Sequence, residues 1–549
     1  MTDMRGVYKL LAKAEEQEVP KEYSVYNNGN FVFTPSRPSR LCSRITNLLV
    51  GAATVLTGLM LIGLHHSHYA AGPGRNLDEL AAPYRRHLSS PLHAHKVVHS
   101  PTSIAYVVGE HHPVSGDFPA DYQWVDPDSR EPFDQVMTTN GMNNNAMARM
   151  PVGSPYDMMV VGRGWSDKYI DPREDIDYVN LTLVGFFVNY EPISGSWIRA
   201  GPEPYILDIP IWRQFPRPCR NLVNGGPADP RLIWSDAGEP LAIIGTSSQV
   251  PGVCKAVGLA DLRAVWPGLK QHLADIGYGD IPIRLKQFTE LGKAGGQAPY
   301  EKNWAAFFSG PSPPKSISNT ILASRRWIGT NFQRGPPLWP YLLTQIKDRN
   351  VVAVNENQLT GGRSSSSYVL AESLSLTVTN KANETYEASS ACIFNSLPLD
   401  WDPDMMHLAT PFHRVTFCRR DACEPNRQNT VLLGLIHYKK SPRSYMRMFV
   451  TMKVDAPFEI ISVSPPLHFG APEMDSDVVF SMSMAFLPSK RSYSIGEHPF
   501  KPSKDRAGGW LAHGWLDDTI VVGVGLRDAA YDAVHIPVAA ALQGHTLCS

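Results

Sequence analysis

The residues with the clearest capacity for chemistry form a short run of Asp229, Pro230 and Arg231. The run follows a loop rich in glycine and proline and leads into two apolar segments joined by a turn. Loops at the edge of a rigid sheet often carry catalytic groups. Asp229, beside a conformationally fixed proline, could act as a general base, and Arg231 could bind an anion or a hydroxyl. The same triplet recurs at 171–173, so an ordinary Asp-Pro turn is the alternative interpretation.

Further polar residues stand at or beside the ends of predicted strands. One apolar run ends in arginine, later runs end in histidine, lysine or aspartate, and another follows a lysine-asparagine pair. Cations gathered in a partly desolvated cleft would stabilise a leaving group that carries phosphate. A buried core histidine or a solvated lysine at a strand end is the plainer explanation for individual members. The candidates for substrate binding are Arg163, Arg231, Lys302, Asn303, His437, Lys439 and Asp528.

In this order and spacing the motifs resemble those of the five-bladed β-propeller enzymes that act on β-mannosides. One branch of that superfamily contains the mannoside phosphorylases of glycoside hydrolase family 130. The other contains propeller mannosyltransferases, including the fungal β-mannosyltransferases of the Golgi membrane. The resemblance covers roughly 156–528 and implies that Asp229 is the catalytic carboxylate. It also implies that Lys302 binds substrate and that His437 and Asp528 line the sugar pocket.

The resemblance implies an inverting β-mannosyltransferase. Such an enzyme would move mannose from a nucleotide sugar, GDP-mannose, to a glycan acceptor, with no cofactor or bound metal. Asp229 would remove the acceptor proton, by way of a sugar hydroxyl as in the phosphorylase branch. The nearby cations would hold the departing diphosphate, and Arg163 and Asp528 would hydrogen-bond sugar hydroxyls. Trp304 could stack on a sugar face, although core packing is the alternative for this residue.

Three other functions remain open from the sequence. A phosphorylase or hydrolase of mannosides could use the same fold. A manganese-dependent glycosyltransferase of the doubly wound type would need an Asp-x-Asp motif after a strand. A catalytically inactive lumenal protein that binds glycans is the third. The sequence contains Asp-x-Asp spacings at 126–128, 175–177, 475–477 and 400–404.

Composition favours a body built from strands. The chain of 549 residues is 43% apolar, has a net charge of −1 and contains 46 prolines and 42 glycines. The near-neutral charge, without a block of lysine and arginine, argues against a nucleic-acid partner. Many turns between short apolar runs predict an all-β fold. With the resemblance, this predicts a five-bladed β-propeller with long insertions over 103–549. Helical periodicity is limited to pieces such as 259–275 and 340–349.

The charge-free run from Ile45 to Leu64 is long enough to cross a bilayer. A cleaved signal peptide would be shorter and nearer the start of the chain. Three arginines shortly before the run predict that 1–44 form a cytosolic tail. Residues 65–102 would then be a lumenal stem, and the catalytic domain would face the lumen of the Golgi in a single-pass type II protein. The sequons at Asn180 and Asn383 fall on that side.

The cysteines agree with an oxidising compartment. Six of the seven lie on the predicted lumenal side, an even number that permits up to three disulfides. We predict that Cys219 pairs with Cys254 and that Cys418 pairs with Cys423.

Overall fold

The short apolar runs form β-strands that glycine, proline and asparagine interrupt. The computed structural model describes residues 81–82, 84, 107–108, 110–115, 143–171, 176–210, 219, 224–248, 250, 252–293, 299–300, 302–310, 341–345, 350–354, 368–373, 377–379, 385–387, 393, 405–420, 422–441, 444–455, 458–468, 479–488, 511–526 and 530–548. All of them belong to the compact unit that extends from Arg75 to Ser549.

The strands are numbered in chain order. The first half of the chain contains β1 (Val107–Val108), β2 (Glu110–Ser115), β3 (Asn143–Arg149), β4 (Met158–Asp171), β5 (Ile176–Glu191), β6 (Ser196–Ile206), β7 (Asn224–Gly225), β8 (Ala228–Trp234), β9 (Pro240–Ser247), β10 (Lys255–Asp261) and β11 (Thr289–Lys293). The middle contains β12 (Ala305–Phe307), β13 (Tyr341–Gln345), β14 (Asn350–Val354), β15 (Tyr368–Ser373), β16 (Thr377–Thr379), β17 (Thr385–Glu387), β18 (Met406–Leu408) and β19 (His413–Thr416). The last part contains β20 (Thr430–Ser441), β21 (Ser444–Lys453), β22 (Ile460–Val463), β23 (Leu467–His468), β24 (Val479–Leu487), β25 (His513–Trp515), β26 (Thr519–Leu526), β27 (Ala530–Pro537) and β28 (Thr546–Leu547).

Helices are short in the described part of the chain. They are α1 (Leu262–Val265), α2 (Pro267–Leu273), a π-helical turn (Ala274–Tyr278) and α3 (Val538–Ala541). The predicted helix over 259–275 therefore begins three residues late, because its first residues pair as part of β10 with β9. The predicted helix over 340–349 is wrong at its start. Residues 341–345 form β13, which is paired on both sides, so cross-strand packing overrides the local periodicity.

Five antiparallel four-stranded meanders follow one another in the described sheets. Meander 1 is β3 to β6, meander 2 is β8 to β11, meander 3 is β12 to β15 and meander 4 is β19 to β22. Meander 5 joins β24, β26 and β27 to β2, so its outer strand comes from the N-terminal side of the chain. The parallel pair β2–β6 connects meander 5 to meander 1 at their outer edges. The parallel pair β11–β15 connects meander 2 to meander 3 in the same way.

The apolar cores lie between meanders. Trp234 belongs to a cluster shared by meanders 1 and 2. Phe307 and Phe412 belong to one shared by meanders 3 and 4, and Phe449 and Phe486 to one shared by meanders 4 and 5. Each of these large side chains stabilises the fold by about 1.5–3 kcal/mol when fully buried. Because the cores are shared, the position of each meander depends on its neighbours.

The described residues are mostly strand with few helices, which confirms the all-β prediction. Their antiparallel meanders do not have the alternating strand and helix order that the doubly wound alternative requires. The Asp-x-Asp spacings at 126–128, 400–404 and 475–477 lie outside the described residues, as does the first aspartate of 175–177.

Parts of the predicted topology and linkage can be compared with the structure. Both predicted disulfides, Cys219–Cys254 and Cys418–Cys423, are present and confirmed. Within the described ranges, no helix combines the length and hydropathy that a bilayer span needs. The predicted span at 45–64 lies outside those ranges and stays a prediction.

Part of the predicted stem is packed onto the folded body. Of residues 65–102, the structure describes Ala81, Ala82 and Tyr84. The hydroxyl of Tyr84 donates a hydrogen bond to the carbonyl oxygen of Leu542 at 3.0 Å, and its ring lies 4.7 Å from that of Phe417. A tyrosine with this burial and these contacts belongs to the folded unit and is not a solvated linker residue.

Candidate functional site

Asp229 sits on an irregularity of β8 that turns its side chain out of the sheet. The register with β9 shifts between Ala228 and Arg231, so the strand bulges there. A residue before proline ordinarily has negative φ, yet Asp229 has a φ of 49°. Its side chain is 43% exposed, whereas the residues at both ends of the bulge are buried. The backbone therefore presents the carboxylate outside the sheet while β8 itself stays in the core.

Left-handed backbone conformations are concentrated around this carboxylate. Among the described residues other than glycine, Asn144, Asp229, Asn303 and Phe458 have positive φ. The first three are connected: the amide of Asn144 donates to Oδ1 of Asp229 at 2.9 Å, and Oδ1 of Asn303 accepts from Arg231 at 2.9 Å. Residues held in such conformations cluster at functional sites, because the surrounding structure must compensate for their strain. The clustering marks this place as a candidate active site.

Positive charge surrounds Asp229. Nη1 of Arg163 lies 3.5 Å from its Oδ1. Burial alone would raise the pKa of Asp229, but the charges of Arg163 and Arg231, the hydrogen bond from Asn144 and the charge of Lys255 outweigh it and lower the pKa. The carboxylate is therefore ionised at neutral pH. It is available to accept a proton from a bound hydroxyl.

Arg231 is a buried residue that connects several parts of the site by hydrogen bonds. Only 4% of it is exposed. Its Nε donates to the carbonyl oxygen of Ala409 at 2.7 Å, and Nη2 donates to Leu408 at 3.3 Å as well as to Asn303. Burial lowers the pKa of Arg231 to about 10, although the charge of Asp229 opposes the shift. The guanidinium is thus still a cation at neutral pH and links meander 2 to the residues that precede meanders 3 and 4.

A second group of cations lies beside two paired histidines. His407 on β18 is directly opposite His437 on β20. Burial, together with the charges of Lys302, Lys439 and Arg231, lowers the pKa of His407 to about 4. His407 is half-buried and neutral at neutral pH, while Lys302 is exposed and Lys439 is partly exposed. Polar atoms of this group are open to a ligand.

His437 has a different environment from its partner. It is 3% exposed, and its Nε2 accepts a hydrogen bond from the backbone N–H of Ser481 at 3.2 Å. Burial lowers its pKa well below the usual value, and the charges of Arg447, Arg231 and His407 add to the shift. In this geometry His437 joins meander 4 to meander 5. Its predicted contact with substrate stays a prediction, and His407 is the more accessible of the two histidines.

The structure brings together most of the predicted site. Asp229, Arg163, Arg231 and Asn303 are in contact or share a partner, and electrostatic interactions connect Lys302 and Lys439 to them. Asp528 lies outside the described residues. Trp304 is fully buried in the core, so it packs as a core residue and does not form a sugar platform.

Three residues of the site were not anticipated from the sequence: Asn144, Lys255 and His407. A run of three asparagines at 143–145 was the available signal for the first, because asparagine tolerates positive φ better than most residues. Lys255 follows the disulfide cysteine Cys254, and His407 lies in a short run of ordinary composition. Neither of these two carries a motif.

The site combines one ionised carboxylate with several lysine and arginine side chains. The charged side chains that shift the pKa of Asp229 are all cations. Across the part of the chain that the structure covers, no group of three histidine, cysteine, aspartate or glutamate residues is arranged to hold a metal ion. Such a site can accept a proton from a hydroxyl and hold phosphate next to it.

Comparison with known proteins gives distant similarities only. No family model matches the chain, and no curated protein matches it significantly. The β-1,2-mannobiose phosphorylase of Listeria innocua matches over 77% of this chain and 98% of its own, with 9% identity and a TM-score of 0.34. MPT-4, a mannose phosphorylase of Leishmania mexicana, matches over 81% and 92%, with 10% identity and a TM-score of 0.32.

A third similar structure is MPT-1, a GDP-Man-dependent mannosyltransferase of Leishmania mexicana. It matches over 80% of this chain and 91% of its own, with 9% identity and a TM-score of 0.27. With TM-scores this low, the three similarities carry no argument about the activity of this chain. The geometry of the site is what bears on that activity.

Proposed function

We propose that this protein is an inverting glycosyltransferase, which moves mannose from a nucleoside diphosphate sugar to a hydroxyl of a glycan acceptor. The observation that carries the proposal is that Arg163, Arg231 and Lys255 surround one ionised carboxylate, Asp229, and that Lys302 in turn interacts with Lys255. A hydroxyl needs a base, and a leaving diphosphate needs cations, at neighbouring positions. With the predicted span, the enzyme would be held in the Golgi membrane with this site in the lumen.

We also propose that the five meanders are the blades of a propeller. Hydrogen bonds connect each meander to the next meander or to the residues just before its first strand, and the fifth is bonded back to the first. The links are Asn144 to Asp229, Arg231 to Asn303, the N–H of Phe412 to the carbonyl of Ala306 (2.9 Å), the N–H of Ser481 to His437 (3.2 Å) and the N–H of Met147 to the hydroxyl of Ser483 (2.6 Å). A closed cycle of this kind supports a radial arrangement, in which the first strand of each blade faces a common axis.

The reaction follows from the positions of the charges. The carboxylate of Asp229 takes the proton of the acceptor hydroxyl, directly or through a neighbouring sugar hydroxyl. The acceptor oxygen forms a bond to the anomeric carbon while the bond from that carbon to the diphosphate oxygen breaks, so the configuration inverts. The electron pair leaves with the nucleoside diphosphate, whose added negative charge Lys255, Lys302 and Arg163 stabilise. Asn144 holds the carboxylate in place.

A phosphorylase is the second candidate, and the same cations favour it. Inorganic phosphate would occupy their position and attack the anomeric carbon of a mannoside, giving mannose 1-phosphate as the glycosidic bond breaks, and the departing sugar oxygen would take its proton from Asp229 in its protonated form. A hydrolase of the two-carboxylate type fits less well, because the charged groups that shift the pKa of Asp229 are all positive.

The decisive experiment incubates the purified full-length protein in detergent with a panel of nucleotide sugars and mannose-containing acceptors. Release of free nucleotide is measured with and without a chelator. A parallel reaction contains β-mannobiose and inorganic phosphate and is assayed for mannose 1-phosphate. We expect nucleotide release from GDP-mannose that depends on acceptor. Mannose 1-phosphate without nucleotide release would assign the phosphorylase function instead.

Replacement of Lys255 by alanine is expected to raise the KM for the donor by about 10-fold or more and also to lower kcat, because Lys255 would bind the donor phosphates and stabilise the charge that develops as they leave. A hydrogen bond to a charged group contributes about 1.5–3 kcal/mol, and the variant would lose the bond between the Lys255 ammonium group and a donor phosphate. Burial lowers the pKa of Lys255; Asp229 opposes this shift, and the charges of Arg163 and Lys302 add to it. The ammonium charge is therefore lost earlier than usual as pH rises, so the donor KM should climb in the alkaline range.

The control for this pH dependence is Lys255→Arg. Arginine keeps its charge to higher pH, so the donor KM of this variant should stay flat where that of the wild type rises. Lys270→Ala, which removes an exposed lysine on α2, should leave the profile unchanged. A wild-type donor KM that does not vary from neutral pH to about pH 10 would contradict the role of Lys255.

A further inference from the structure

Two residues before the cation Lys302, the chain is fixed against the start of β10. The carbonyl oxygen of Pro299 accepts hydrogen bonds from the backbone N–H groups of Cys254 at 2.7 Å and Lys255 at 3.1 Å. Tyr300 forms an isolated parallel bridge with Lys255. The disulfide Cys219–Cys254 holds the same point of β10. The backbone at Pro299 and Tyr300 is thus hydrogen-bonded to the backbone of Cys254 and of Lys255, a cation of the site.

The side chain of Tyr300 is open although its backbone is anchored. It is 51% exposed, whereas Trp197, Trp234, Trp266, Trp304 and Trp515 are all buried. Single exposed aromatic residues are common on protein surfaces and need no explanation by themselves. What sets Tyr300 apart is its position beside Lys255, a residue that interacts electrostatically with Asp229, Arg163 and Lys302. An aromatic face on a fixed backbone next to such cations is suited to stacking on a planar ring.

A nucleotide sugar consists of a sugar, two phosphates and a nucleoside, in that order. The sugar to be transferred must contact Asp229. Its phosphates must follow at the cations, of which Lys255 and Lys302 are the members nearest in sequence to Tyr300. The group beyond the two phosphates is the nucleoside. Tyr300 is bridged to Lys255 and lies two residues from Lys302, so a nucleoside beyond phosphates held by these lysines would be within reach of its ring.

We propose that Tyr300 is the stacking platform for the base of a nucleoside diphosphate sugar and that it selects nucleotide donors over free phosphate. This inference rests on the proposed function and adds the part of the donor that the other residues do not recognise. Stacking on an aromatic side chain is tolerant of base identity, because every base has a π-face. The identity of the base would therefore be set elsewhere.

The test compares the binding of GDP and UDP with that of pyrophosphate, which shares their diphosphate but has no nucleoside. Isothermal titration calorimetry is carried out on the full-length wild type, Tyr300→Ala and Tyr300→Trp. We expect Tyr300→Ala to weaken binding of the nucleoside diphosphates by about 10-fold and to leave pyrophosphate binding unchanged. Tyr300→Trp should retain nucleotide affinity. Tyr205→Ala, which removes a partly exposed tyrosine from β6, is the matched control and should change neither.

The contrary outcomes identify what failed. Equal nucleotide affinity in Tyr300→Ala and the wild type overturns the platform while the transferase function stands. Equal loss of affinity for GDP and pyrophosphate in Tyr300→Ala shows that Tyr300 only supports the cations, and this result also overturns the inference. A wild type that binds pyrophosphate but neither nucleotide refutes the proposed function itself.

Discussion

Replacement of Asp229 by asparagine is expected to lower kcat by about 10²–10⁴-fold, the usual contribution of a positioned general base. The folded structure should persist, since the side chain is 43% exposed and asparagine can still accept the hydrogen bond from Asn144. Donor binding should be retained or tightened, because the variant removes a negative charge from a site that binds phosphate. Turnover is measured by nucleotide release, and donor affinity is measured separately by calorimetry.

The matched control is Asp275→Asn, a change of the same size on the π-helical turn, where the carboxylate accepts a hydrogen bond from Gln271. It should leave turnover and affinity unchanged. Loss of turnover with retained donor affinity identifies an enzyme and assigns the chemical step to Asp229. Unchanged turnover in Asp229→Asn would remove the carboxylate from the mechanism. A wild type that binds the glycan acceptor but neither binds nor turns over the donor would favour a glycan-binding protein.

The sequence was sufficient to single out Asp229 as the candidate base and several cations near it, but not to find Asn144, Lys255 or His407. An aspartate before a proline, at the entry to an apolar hairpin, is a local pattern that sequence alone contains. Its neighbours are not local: Asn144 is 85 positions away along the chain and reaches Asp229 through packing between two meanders. The spacing of residues along the sequence does not predict a contact of this kind. The strands were predictable for the same reason as the base, since alternating apolar runs are local.

Burial is the second property that the sequence did not contain. His437 and His407 are cross-strand partners, and a strand-end histidine was the expected ligand. The structure buries His437 against the backbone of Ser481 and leaves His407 half-exposed. The sequence allowed Trp304 to be either a sugar platform or a core residue, and its full burial makes it a core residue. Similarly, the tie between Lys255 and Tyr300 depends on an isolated bridge that no periodic pattern predicts.

The position of Asn144 depends on a glycine in another meander. A Cβ on Gly525 of β26 would overlap the side-chain oxygen of Asn144 and lie 3.0 Å from its Cα and backbone nitrogen. The absence of that one carbon lets the left-handed bend at Asn144 pack against β26. Asn144 donates a hydrogen bond to Asp229, so Gly525 is a positioning residue that acts on the candidate base through Asn144.

Gly525→Ala is therefore expected to displace Asn144 and to lower kcat/KM by about 10²-fold, the order of loss that an approximately 1 Å misplacement produces. The hydrogen bond from Asn144 helps to lower the pKa of Asp229, so its loss raises that pKa. A base must be ionised to act, and the fraction ionised at a given acidic pH then falls. The acid limb of the kcat/KM profile should move to higher pH, as it should in Asn144→Ala.

A shift in pH profile separates positioning from simple loss of packing. Gly514→Ala, whose new Cβ would overlap the ring of Phe486, is the matched control: it should lower Tm but leave the acid limb in place. In the Asn144→Ala background, Gly525→Ala should add no further shift, since the hydrogen bond is already gone. If Gly525→Ala lowers Tm as the control does while the acid limb stays where the wild type has it, β26 supports the fold without positioning the carboxylate.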